Sequence, residues 1–175
     1  SKLEKSGADG VLLLGDYNET SMIIAQADRI ESLSDMQYFM DASILSEVFL
    51  ERIKDISHEE NCIIAAGYNP YDDRDLYKEF AQKLKDKFGI DTNEPAVYTY
   101  DLINILAQAL EAGATRETLA DTIKSMEFEN MMSAPGTIKF DEKGDREALE
   151  IAIIGVKDNA FYYTGNNVDM TGALE

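Results

Sequence analysis

The chain has 175 residues, 34 of them acidic and 16 basic, for a formal charge of −18. That length suits one α/β domain, or parts of two smaller lobes, with a real core. The charge argues against nucleic acid and anionic membrane surfaces as partners, because both need a positive face. A single cysteine, Cys62, and a single histidine, His58, rule out an intrachain disulfide and a Cys/His metal cluster. No stretch approaches the roughly 20 apolar residues of a membrane span, and the first residues do not form a signal peptide. The start lacks an initiator Met, and residues 1–10 read as the end of a helix leading to a strand, so a fragment or a processed chain is expected.

The run VLLL at 11–14, bounded by Gly10 and Gly15, is too short for a helix and predicts a strand buried on both faces. Helical spacing follows, with Met22, Ile23, Ala27 and Ile30 on one side, Asn18 as N-cap and Glu19 in the first turn. Met36–Met40 predicts a second strand, and 43–54 an amphipathic helix capped by Asp41 or Ser43. Residues 62–66 predict a third strand with a buried Cys62 thiol, and 67–73 a turn-rich connection. A helix from Leu76 to Phe88 should end on Gly89, and another should run from Ala96 to Ala112. Thr115–Thr118 should cap a third helix reaching Met126. The remainder, 136–145, 150–156 and 160–163, alternates like strands joined by tight turns, with φ > 0 expected at Lys143 and Gly144.

Few residues carry reaction chemistry. His58 lies in the acidic, solvated stretch SHEE at 57–60, so no nucleophile has a base, and paired carboxylates in so acidic a chain are mostly exposed charge. Glycine-rich nucleotide signatures are absent, and DEKGD at 141–145 lacks the remaining ligand positions of a calcium loop. No catalytic residue, metal or cofactor is assigned. Two places remain. Asp16 and Tyr17 follow a strand and precede a helix N-terminus, and Asp41 has the same setting after the next strand. In open α/β sheets ligands meet the carboxyl ends of the strands. Two carboxylates there suit a cationic amino group, with helix N–H groups for a carboxylate nearby, so the pair fits an amino acid zwitterion. The same residues equally fit an exposed turn in which Asp16 favours the helix dipole.

Four stretches carry a family resemblance: GADGVLLLGDYNE at 7–19, YTYDLINILAQALEAG at 98–113, TRETLADTIKSM at 115–126, and GTIKFDEKGD at 136–145 continued by IAIIGVKD at 151–158. In order and spacing the chain resembles the carboxyl-terminal half of branched-chain amino acid substrate-binding proteins of ABC transporters, the type I periplasmic binding proteins. The resemblance implies a partial α/β fold of Rossmann-like parallel sheets with flanking helices, arranged as two lobes joined by three crossovers. Residues 1–64 and 148–175 would form the second ligand-binding lobe and 65–147 the carboxyl-terminal part of the first. The implied role is an extracytoplasmic, non-enzymatic component of an ABC importer that binds an amino acid or similar small polar solute, with the membrane permease as partner. It would be periplasmic or extracellular, lipid-anchored in the full-length protein. Asp16, Tyr17, Asn18, Asp41 and Ser43 are the expected ligand-binding residues. Asp41 matches the acidic residue that receives the ligand's amino group, and an acidic residue at 16 favours a cationic or more polar ligand than leucine. Two alternatives are a ligand-sensing receptor or regulator domain of the same fold and a flavodoxin-like enzyme domain.

Overall fold

The computed structural model describes residues 2–170. The chain divides into two compact units, one built from residues 2–66 and 152–166, the other from 67–151 and 167–170.

In the first unit α1 (Lys2–Ser6) leads to β1 (Gly10–Leu13), α2 (Tyr17–Ala27), β2 (Gln37–Asp41), α3 (Glu47–Ile53) and β3 (Cys62–Ala66). The chain re-enters through β4 (Glu150–Lys157) and β5 (Ala160–Asp169). The strands form one sheet in the order β1-β2-β3-β4-β5. β1 to β3 run parallel, with Leu13 opposite Met40 and Met40 opposite Ile64, whereas β4 runs antiparallel to β3 with Ile154 opposite Ile64. The sheet is therefore mixed, not wholly parallel. Strand alternation sends Tyr38, Met40, Cys62, Ile64, Ile154 and Val156 to one face, where they are buried with Ile24 of α2 and with Phe49 and Ile53 of α3. Each such side chain contributes about 1.5–3 kcal/mol through burial.

The expectation of a β1 buried on both faces fails. Leu12 is 63% exposed, beside Phe39 in register at 43%, because β1 is the edge strand and the helices named above pack only against the face that Val11 and Leu13 share. The β4–β5 connection is a two-residue turn, Asp158 (φ 52) and Asn159 (φ 56); paired positive φ values suit the right-handed twist of the flanking strands. Cys62 is buried as expected, and the apolar surroundings push its thiol up to about 12. Native protein should therefore resist thiol alkylation at neutral pH and be labelled quickly once unfolded, as mass spectrometry would read.

Several predicted boundaries move. Helix 43–54 is two pieces: a short 3-10 turn, Ala42–Ile44, capped by Asp41, and α3, for which the extended Ser46 caps the Phe49 N–H at 3.2 Å. The second unit holds α4 (Asp75–Phe88), ended by Gly89 at φ 71, then α5 (Glu94–Glu111) and α6 (Leu119–Ser125). α5 starts two residues upstream of the expected Ala96, and Asn93 caps it by accepting from the Ala96 N–H at 3.0 Å. Thr118 occupies the N-cap position of α6 but caps nothing, because its hydroxyl accepts from the Thr115 N–H instead. The predicted strands at 136–145 reduce to isolated bridges, Phe128 with Ile138 and Phe140 with Arg146. Their turn has positive φ only at Gly144 and not at Lys143, since Asp141 Oδ1 accepts from the N–H groups of both Gly144 and Asp145 at 2.8 Å.

Candidate functional site

β1 and β2 are adjacent and parallel, so the turns that follow them emerge at the same edge of the sheet. The Ser43 hydroxyl donates to the Gly15 carbonyl at 3.1 Å and joins the two turns directly. Asp16 and Asp41 thus belong to one neighbourhood, as the sequence suggested.

Each aspartate also has a local structural job. Asp16, in extended conformation (φ −75, ψ 174), is the N-cap of α2, and its Oδ1 accepts from the Asn18 N–H at 2.6 Å and the Glu19 N–H at 3.4 Å. This corrects the assignment of Asn18 as cap, since the cap lies two residues earlier and the helix begins at Tyr17. It also corrects the expectation that the N–H groups of this helix hold a ligand carboxylate: Asp16 already takes two of them, and the Thr20 N–H goes to the Asp16 carbonyl. Asp41 Oδ1 accepts from the Ser43 N–H at 2.7 Å, and its Oδ2 has no partner among the described residues.

Asn18 and Tyr17 are half-buried. Tyr17 packs against the sheet core, and the Arg52 guanidinium lies 5.9 Å from its ring centroid. Asn18 and Ser43 bring an amide and a hydroxyl to the same edge. A hydrogen bond with the Glu19 side chain, and then the Asn18 N–H, hold the Asp16 carboxyl below the usual carboxylate range. A carboxyl lowered by folding stabilises the native state above the unfolded value and loses that contribution as pH falls through the folded one. Wild type should therefore lose stability in acid that Asp16→Asn never had, so the two melting curves should converge as pH falls below the ordinary carboxylate range.

In the second unit the polar chemistry is buried and was not singled out from sequence. Asp101 is 3% exposed and accepts from the N–H groups of Met132 and Ser133, both at 2.7 Å. Arg74 ion-pairs with Asp72 at 2.6 Å and donates to the Met131 carbonyl at 3.1 Å. The signal was available, since α5 presents Val97, Asp101, Ile105 and Ala109 at four-residue spacing and one carboxylate in that apolar stripe needs partners. An open apolar groove of about 930 Å³ lies between α4 and α5, lined by Leu76, Phe80, Leu84, Phe88, Tyr100 and Met132 among others, and none of the residues predicted for the site reaches it. Among the described residues no three acidic, histidine or cysteine side chains converge as a metal ligand set, and no helix is long and apolar enough to cross a membrane.

A mixed α/β sheet with polar turns gathered at the carboxyl ends of its parallel strands defines an α/β class of protein. The family model of periplasmic binding proteins matches residues 1–159, and the chain belongs to that family. Among solved structures it is similar to a leucine-binding protein from Thermotoga maritima, at 22% identity and a TM-score of 0.76, over 95% of this chain and 47% of that one. It is also similar to a branched-chain amino acid transporter substrate-binding protein from Streptococcus pneumoniae in complex with isoleucine (17% identity, TM-score 0.70, 95% and 46% covered). A third is an ABC-transporter solute-binding protein from Rhodopseudomonas palustris in complex with 3,4-dihydroxybenzoic acid (20%, 0.70, 97% and 47%). The chain thus spans about half the length of the structures it matches. Among curated proteins none matches the sequence.

Proposed function

We propose that this chain is part of an extracytoplasmic solute-binding component of an ABC importer that takes an amino acid or a similar small polar solute and delivers it to a membrane permease. The observation that carries the reading is the joined pair of turns after β1 and β2, in a chain of the periplasmic binding protein family. Asp41, whose Oδ2 has no partner among the described residues, and Asp16 receive the ammonium group. The Asn18 amide and Ser43 hydroxyl add polar contacts, and Tyr17 forms an aromatic wall. The solute's acidic end falls to groups elsewhere in the protein, because Asp16 occupies the N–H groups of α2.

The same proposal makes residues 1–64 and 148–175 the second lobe and 65–147 part of the first; the division of the chain near residues 66 and 151 supports this, while residues 167–170 group with 67–151. It places the protein in the periplasm or at the cell surface, lipid-anchored in its full-length form. Receptor and enzyme readings draw less support, since the relatives named above are described as binding proteins and two of them as transporter components.

Thermal-shift titration of the full-length protein with a panel of amino acids tests this. A binding solute raises the melting temperature with concentration, by about 2.7 kcal/mol of stability at a hundredfold excess over Kd. Asp41→Ala should abolish the shift. No rise with any amino acid or related solute would end the reading.

A further inference from the structure

Tyr17 opens α2, and that position leaves its ring weakly held by its own helix. Inside a helix the preceding turn disfavours one of the staggered χ1 wells, but the first residue has no turn before it. The Tyr17 hydroxyl adds no tether, since it has no hydrogen-bond partner among the described residues. What holds the ring is packing against the sheet core and, 5.9 Å from its centroid, the Arg52 guanidinium.

Arg52 sits in the last turn of α3, exposed, in a chain with 34 acidic residues. It nevertheless forms no ion pair with a described residue, and the adjacent Glu51 pairs with Lys54 instead. Helical side chains lean toward the N-terminus of their helix, and α2 and α3 both start beyond the carboxyl ends of the strands they follow. Arg52 thus reaches back along α3 toward the edge where Asp16, Asp41 and Ser43 gather, and lies over the tyrosine there. A planar guanidinium over an aromatic ring restricts how that ring can turn.

We infer that Arg52 is a positioning residue of the strand-end site: it holds the Tyr17 ring in one orientation, so that the solute meets a preformed aromatic wall, and it acts on the solute only through that ring. Binding to a preformed surface avoids the cost of ordering a side chain. The role rests on the solute-binding reading, whereas the contact does not.

Two measurements on the full-length protein test it. In urea unfolding without solute, Arg52→Gln and Tyr17→Leu should each lower stability slightly, and the double variant should lose less than the two losses together, because each substitution removes the same contact. Additive losses would overturn the contact. In titration calorimetry with L-leucine and L-lysine as probes, Arg52→Gln should weaken binding by roughly two- to fivefold, the worth of one exposed cation–π contact, and Arg52→Lys by less. The weakening should persist in a Tyr17→Phe background, which keeps the ring, and vanish in Tyr17→Leu, which does not. Equal weakening in both backgrounds would refute action through the ring.

L-lysine separates position from charge. Removing a cation by itself favours a cationic solute, so tighter L-lysine binding by Arg52→Gln would overturn the proposal. Unchanged affinity for a probe that wild type binds would refute the positioning role and leave the solute reading intact. If wild type binds neither probe nor any other amino acid, the solute reading fails and the positioning role with it, while the unfolding cycle still decides the contact.

Discussion

Phe49→Ala should cost the first unit about 3–5 kcal/mol, much of what a domain has to spare. Phe49 is fully buried and stacks on Phe161 with ring centroids 6.0 Å apart, so its ring links α3 to β5 across the sheet core. Truncation removes the transfer energy of the ring and leaves a cavity between two elements distant in sequence, which a packed interior cannot close by small shifts. Thermal unfolding combined with hydrogen exchange would show the loss in peptides of residues 2–66 and 152–166. Phe88→Ala is the control: that ring is 63% exposed at the end of α4, and its removal should stay within about 0.5 kcal/mol. Equal effects from the two substitutions would refute the burial argument.

Asp101→Ala should cost the second unit about 3 kcal/mol or more. Hydrogen bonds to a charged acceptor are worth about 1.5–3 kcal/mol each, and alanine would leave the N–H groups of Met132 and Ser133 buried without partners. Asp101→Asn keeps one acceptor oxygen but turns an amide N–H toward a backbone N–H, so it should lose an intermediate amount. Denaturant unfolding gives the magnitudes, and exchange at 131–134 localises them. A Leu102→Ala substitution on the same helix, at a position 54% exposed, should be nearly silent. If Asp101→Ala proves equally silent, the carboxylate does not hold the loop.

Much of the fold was legible because local patterns and tertiary environment agree. The runs at 11–14, 36–40 and 62–66 became β1, β2 and β3 within a residue or so, and Gly89 ended α4 in the left-handed conformation its lack of a Cβ allows. The errors have specific competitors. Asn18 and Asp16 are both good caps, and the choice between them depends on which residue is extended when the chain leaves β1. The stretch 43–54 carries one hydrophobic period, but Ser46 breaks it by offering its hydroxyl to the Phe49 N–H. The alternation at 136–145 reads as strand, yet Asp141 gathers the turn N–H groups and only single bridges form. Of the candidate site, sequence supplied the two aspartates and their strand-end setting. It did not reveal that both carboxylates cap their own turns, nor the Ser43 to Gly15 bond that joins them.

By itself the sequence determined the strands β1 to β3, the helix that ends on Gly89 and the burial of Cys62, since each follows from side-chain polarity and spacing along the chain. Tertiary structure alone decided that β4 would run antiparallel to β3, that a carboxylate at 101 would find two backbone partners more than thirty residues away, and that the Tyr98 hydroxyl would donate to the Gly67 carbonyl. These are contacts between segments remote in sequence. Their geometry is set by how sheet and helices pack, which no local pattern encodes.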